Sequence, residues 1–258
     1  METLLKGNDV TVFFGGLAAV KDVDFDILEG EILGLIGPNG AGKTTLLNLI
    51  SGVYPLNKGE ITFKGDKITG LSTHAIAGRG ISRTFQVVKP FPGMTVHENV
   101  AVGAMFGRSD HRANVKGAMQ RAQEIMEFVD LIKVKDKRVD EVTLANRKRI
   151  ELGRALAMRP HLLLLDEVMA GLTPTEVDSI MGLIRKVRDG GVTILVIEHV
   201  MKAIMGLCDR VLVLHHGQRI ALQTPRDVVN NEQVIKAYLG ERYAQNNPGG
   251  GANNDIAN

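Results

Sequence analysis

A chain of 258 residues, 44% hydrophobic and 23% charged, has the length and apolar content for one large or two small globular domains. A net charge of +2, aromatics at 4% and no tryptophan exclude the basic, aromatic-studded surface of a nucleic-acid binder. The single cysteine, Cys208, excludes an internal disulfide framework and reads as a small buried apolar residue in a reducing compartment.

The opening "METLLKGND" lacks the apolar region and small-residue cleavage site of a secretory leader. No apolar run anywhere approaches the ~20 residues of a membrane helix. "VTVFF" and "KDVDFDI" read as strands, the second setting Val23, Phe25 and Ile27 against acids, so that one face is wet. "EILGLIG" is a buried strand that meets Pro38 and three glycines and then the helix "KTTLLNLISG", which stops at Gly52. "GEITFKG" and "ISRTF" are short strands. From about Val87 to Pro160 the texture is helical. Val115, Ala118, Met119, Ala122, Ile125, Met126 and Val129 recur at helical spacing and predict an amphipathic helix turned to the core. After Pro160 the apolar runs "HLLLLDE" and "VTILVIEH", separated by a helical pattern from Glu176 to Arg188, predict a parallel α/β sheet. "RVLVLHHGQRIALQ" reads as a hairpin about "HHGQ", with His215 and His216 in a turn and no metal pattern. The tail, residues 244–258, is too polar and glycine-rich to order itself.

Two stretches carry chemistry. "GPNGAGKTT", Gly37 to Thr45, matches the phosphate-binding loop and sits between a strand and a helix, as that loop requires. Backbone N–H groups of Asn39, Gly40, Ala41, Gly42 and Thr45 would wrap phosphate oxygens at the positive end of the helix. Lys43 would reach the β- and γ-phosphates of ATP, and Thr44 would hold Mg²⁺. "LLLLDEV" brings Asp166 and Glu167 to the end of a buried strand. Adjacent acids there also suit a plain helix start. With a phosphate loop upstream, Asp166 reads as support for Mg²⁺ through its water shell, and Glu167 as the group that orients or deprotonates the attacking water. Gln86, ending "ISRTFQ", offers an amide to Mg²⁺ or water, and His199, ending "ILVIEH", suits contact with a γ-phosphate.

Together, "GPNGAGKTT", Gln86, "LLLLDE" and His199 resemble the ATP-binding subunit of an ABC transporter over about residues 4–240. The resemblance implies an α/β P-loop NTPase with a RecA-like core (about 4–86 and 161–240), an N-terminal antiparallel β subdomain and an inserted helical subdomain (about 87–160). It implies an adenine-stacking aromatic at Phe14, with Phe13 as rival because strand alternation puts one of the two inside, and Val20 at the sugar-facing position. "GISRTFQVVKPFPGMTVHENV", "DEVMAGLTPTE" and "AYLGE" are similar to the ATPases of branched-chain amino acid uptake systems.

The family's L-S-G-G-Q signature falls on Val142, Thr143, Leu144, Ala145 and Asn146. The resemblance implies that Thr143, Ala145 and Asn146 close over ATP held by a second ATPase subunit. The cations Arg147, Lys148 and Arg149 would then face a phosphate in trans. Ala145 stands where a glycine lets backbone approach phosphate. Thr173 stands where the family often has an aspartate that links the two sites. Implied partners are integral-membrane permease subunits, a second ATPase chain and, indirectly, an upstream solute-binding protein, with no nucleic acid. The implied place is peripheral, on the cytoplasmic face of the inner membrane. Competing readings are a lipid-export ATPase, a low-turnover regulatory subunit and a soluble non-transport ATPase; the absence of a long heptad insert weighs against the last.

Overall fold

The computed structural model describes residues 2–85, 89–108 and 113–238. Gln86 and the tail 244–258 lie outside the described residues.

Two sheets form the frame. The first is antiparallel, in the order β2-β1-β4-β5, from β1 (Thr3–Phe14), β2 (Leu17–Leu28), β4 (Lys58–Phe63) and β5 (Asp66–Lys67). The long β1–β2 hairpin begins at Thr3, well before the "VTVFF" expected from sequence, because Leu4 and Leu5 are buried in its core. The second sheet runs β10-β9-β3-β8-β7-β6. Its strands β3 (Ile32–Ile36), β6 (Ile81–Arg83), β7 (Leu162–Asp166), β8 (Thr193–Ile197) and β9 (Arg210–His215) pair in parallel, and β10 (Gln218–Gln223) closes the edge as an antiparallel hairpin.

Period-2 alternation divides each central strand between two cores. Ile32, Leu163, Leu165, Ile194, Val196, Val211 and Val213 face one core, with helices α5 (Leu144–Ala157), α6 (Pro174–Asp189) and α7 (Met201–Leu207). Leu33, Leu35, Leu162, Leu164, Leu195, Ile197, Leu212 and Leu214 face the other, with the first sheet and α1 (Lys43–Ile50). This two-sided burial is why the strands are unbroken apolar runs. The short helices α2 (Thr73–Gly78) and α8 (Pro225–Asn230) flank the sheets.

Between β6 and β7 lie α3 (Val96–Phe106), α4 (Val115–Phe128) and α5, packed on one another. α4 spans the predicted helix, and Ala118, Ala122, Ile125 and Met126 are buried on its inner face; Val115, at its first turn, is exposed. Thr95 and Asn114 cap α3 and α4 through side-chain oxygens. Cys208 is buried, and burial pushes its thiol up to about 12, leaving it an inert packing residue.

Candidate functional site

A cleft of about 570 Å³ opens at the carboxyl ends of β3, β7, β8 and β9, the end at which parallel α/β sheets bind ligands. It is lined by Asn39 to Thr45, by Glu167 and His199, and by Leu17, Ala18, Ala19 and His216.

The loop after β3 depends on glycine at two places. Gly37 has φ 149°, and a Cβ there would lie 2.1 Å from the Leu214 carbonyl oxygen. Gly42, the residue before α1, has φ 100°, and its Cβ would lie 2.5 Å from the Ala19 oxygen. Lys43 is buried, and its Nζ donates to the carbonyls of Gly37 (2.6 Å) and Pro38 (2.8 Å), which centres the ammonium in the loop. Thr44 is exposed on the cleft side. The first N–H groups of α1 have no intrahelical partner by geometry, so the loop presents donors to an anion.

Asp166 ends β7 and is 1% exposed. Its Oδ2 accepts from Arg83 Nη2 at 2.9 Å, while its buried Oδ1 has no hydrogen-bond partner among the described residues. A buried carboxylate oxygen left in this state fits a hydrated cation nearby. Arg83 also donates to Asn48 and to Ser51 Oγ, tying β7 to α1.

Glu167 takes a left-handed backbone, φ 49°, a strained state for a residue with a side chain. Its N–H donates to the Ile197 carbonyl (3.0 Å), and its carbonyl accepts from Lys148 Nζ (3.1 Å). This geometry turns the carboxylate to the cleft, where Oε1 lies 2.9 Å from His199 Nε2. Just before His199, Glu198 is buried and accepts from the Met169 amide at 2.9 Å, bracing the loop after Glu167.

Burial pushes the Glu198 carboxyl up to about 7, against the Met169 amide and with the neighbouring Glu167 charge adding to the rise. For an acid raised from 4.5, the stabilisation is full below pH 4.5 and is lost as pH climbs through 7. Glu198→Gln is therefore expected to lessen the fall in urea-unfolding stability across that window; an unaltered slope contradicts it.

Phe14 and Phe13 are both 46% exposed, so neither is inside. A register shift between Val12 and Phe13 breaks the alternation that would have buried one of them. Phe14 meets Tyr54 edge-on, with centroids 5.1 Å apart. Val20 is fully buried beneath Gly42 rather than in the cleft, and Leu17, Ala18 and Ala19 supply that wall.

Thr143 caps α5, accepting from the Asn146 amide at 3.3 Å, with Ala145 and Asn146 half-buried in its first turn and Leu144 exposed. The three cations that follow, expected to face a phosphate in trans, are each also engaged within the chain. Arg147 donates to the carbonyls of Val142 and Asp140. Lys148 is buried against the Glu167 carbonyl, and Arg149 binds Asp130, the Val129 carbonyl and Ser179. Main-chain carbonyls, the Ser179 hydroxyl and the Asp130 carboxylate hold them. Thr173 also has a local task, forming a capping box with Glu176 at the start of α6.

Sequence reading gave His216 no place beyond its turn, took Lys148 only as a cation facing a partner's phosphate, and missed Arg83. His216 enters because the β9–β10 turn, with φ 47° at His216 and 75° at Gly217, folds it back beside the loop. The pairings of Lys148 and Arg83 gave no local signal, since their partners lie 19 and 83 positions away.

Among family models, one described as ABC transporter matches residues 20–170, and one described as branched-chain amino acid ATP-binding cassette transporter matches residues 224–244. The high-affinity branched-chain amino acid transport ATP-binding protein BraF of Pseudomonas aeruginosa is 38% identical over 250 residues, covering 92% of this chain and 98% of that protein. The lipopolysaccharide export system ATP-binding protein LptB of Escherichia coli is 34% identical over 239 residues, covering 93% and 98%. The ADP conformation of MJ1267, an ATP-binding cassette of an ABC transporter, superposes with a TM-score of 0.85 at 28% identity, covering 93% of this chain and all of that one. At such identity over nearly the full length, on the same fold, the conclusion is direct: the chain belongs to the ABC transporter family, as one of the ATP-binding subunits that hydrolyse ATP to power transport.

Proposed function

We propose that this subunit drives an importer of branched-chain or related amino acids, working as a dimer that closes on two ATP beneath membrane permease subunits. The observation that carries the ATPase chemistry is the Glu167 carboxylate facing the phosphate loop across one cleft, hydrogen-bonded to His199. The amino acid reading rests on BraF, more similar than LptB, and on the C-terminal match at 224–244.

In this reading Lys43 and the loop amides bind the β- and γ-phosphates, and Phe14 stacks on adenine. Glu167 accepts a proton from water aligned on the γ-phosphate, and His199 steadies both the carboxylate and the phosphate. Thr44 and Asp166, with Gln86, are the residues to hold magnesium, which when bound neutralises phosphate charge. Thr143, Ala145 and Asn146 close over the partner's ATP. The dimer closes only because ATP binds the closed form more tightly.

A groove of about 370 Å³ between the sheet and the helices, lined by Val53, Phe85, Phe91 and Phe106, suits an apolar element of the permease. All four side chains are substantially exposed. No helix among the described residues is long and apolar enough to cross a membrane, in keeping with a peripheral subunit reached from the cytoplasmic face.

The deciding test is transport. The complex, purified from membranes with its permease, is reconstituted in vesicles with ATP and a loaded solute-binding protein. Uptake of leucine, isoleucine or valine is expected; ATP turnover stimulated by a lipid substrate, with no amino acid uptake, overturns the assignment. For adenine stacking, Phe14→Ala is expected to weaken ATP binding by the ~1–3 kcal/mol of an aromatic–base stack. Phe13→Ala should leave a labelled-ATP titration nearly unchanged, and equal losses at both positions contradict the assignment.

A further inference from the structure

β7 and β8 pair in parallel as far as Asp166 and Ile197, where both strands end. Beyond that point three ties join the two chains. The Glu167 amide donates to the Ile197 carbonyl at 3.0 Å. The Met169 amide donates to Glu198 Oε1 at 2.9 Å. The side chains of Glu167 and His199 meet at 2.9 Å. The first tie is the last rung of the ladder. The second replaces a rung with a side chain, at a level where only loops remain.

Glu198 is 3% exposed and Met169 1%. The Glu198 carboxyl takes the Met169 amide, and the His199 amide also faces it. A carboxyl buried beside the charge of Glu167 is unfavourable, and an apolar side chain would cost less there. Local stability gives no reason for a carboxyl at this position, but its location does. Met169 lies two residues after Glu167, and His199 directly follows Glu198. Glu198, His199 and Val200 link β8 to α7, and no side chain caps that helix. Among the described residues, the His199 ring is hydrogen-bonded to Glu167 alone. The ring is therefore steered at its tip by Glu167 and at its base by main chain that Glu198 holds.

We propose that Glu198 is a positioning residue for ATP hydrolysis: its carboxyl ties the loop after Glu167 to the main chain of His199, and so keeps those two side chains in register for turnover. This rests on the roles given above to Glu167 and His199. Glu198 itself touches neither water nor phosphate; it acts through the pair.

The test compares Glu198→Met, which fills the space without an acceptor, with Glu198→Gln, whose Oε1 can still accept from the Met169 amide. Each is made on the parent and on His199→Ala, and single-turnover hydrolysis is measured in the complex with its permease. Glu198→Met is expected to lower the hydrolysis rate about tenfold, the scale of a small misplacement of reacting groups. ATP affinity, read by a nucleotide titration, should stay within about twofold, because an interaction used only in turnover leaves binding intact. Glu198→Gln should recover most of the rate. On His199→Ala, where the pair is already broken, Glu198→Met should cost less than about twofold more, as residues acting through one unit are not additive. In the full chain labelled with ¹⁵N-histidine, without nucleotide, the His199 ring resonance should move in Glu198→Met towards its place in Glu167→Ala.

A parental rate or an unmoved His199 resonance in Glu198→Met overturns the proposal. So does an equal loss on the His199→Ala background, or a loss of ATP affinity in step with rate, either of which marks a packing role. Glu198→Gln as slow as Glu198→Met overturns it too, since the acceptor is then not what matters. If Glu198→Met fails to fold, Glu198→Asp, which draws the carboxyl back from the Met169 amide, is read against the same outcomes. If His199→Ala alone keeps the parental rate, the role given to His199 falls first and the proposal with it.

Discussion

Glu167→Gln is expected to slow ATP hydrolysis by roughly 10²–10⁴-fold, the usual contribution of a positioned general base, while ATP still binds. The substitution keeps shape and size. The left-handed backbone at φ 49°, the Ile197 hydrogen bond and the Lys148 contact all involve main-chain atoms, so they survive it. Only the carboxylate beside His199 changes, from an acceptor that can take a proton to an amide that cannot. Phosphate release and a fluorescent-nucleotide titration on the same protein separate the two effects. Turnover within threefold of the parent would show that another group activates the water.

Asp166→Ala is expected to destabilise the fold itself, by roughly 3–5 kcal/mol, before any nucleotide is added. Its carboxylate pairs with an Arg83 side chain that is only 10% exposed, and removal strands that guanidinium in the interior. The loss reaches further, because Arg83 also holds Asn48 of α1 and Ser51 at its C-terminal cap. Urea unfolding without nucleotide or magnesium measures it. A loss under about 1 kcal/mol, the scale of an exposed ion pair, would mean that Asp166 serves the ligand alone. Arg83→Met should fall in the same direction, and the double variant should lose less than the sum of the two.

Much of this was legible in the sequence because the signals are local. The phosphate loop lies within nine consecutive residues, Gly37 to Thr45, and its backbone demands are met by glycines at fixed offsets. The apolar strands, the α4 periodicity and the β9–β10 turn at His216-Gly217 likewise needed no distant information. Contacts across long separations were not legible. Arg147, Lys148 and Arg149 looked like a cationic helix start in need of an anion, because the carbonyls and acid that hold them are contributed from outside the helix. Val20 was expected to face the ligand from the family resemblance alone, yet its side chain packs under Gly42 and is fully buried. The equal exposure of Phe13 and Phe14 follows from an irregular strand register, which alternation cannot anticipate.

The division of each central strand between two cores has a consequence for how the molecule tolerates change. Ala41 and Leu46, which seat the phosphate loop, belong to one hydrophobic compartment; Val168 and Met169, which follow Glu167, belong to the other. The sheet is a common wall, and the cleft at its edge is where parts mounted on either side meet. A small shift in the packing of one compartment moves half of the cleft relative to the other half. Nucleotide affinity therefore serves as a gauge of alignment between the two compartments, and substitutions far from the cleft, on either side of the wall, should register there before they register in folding.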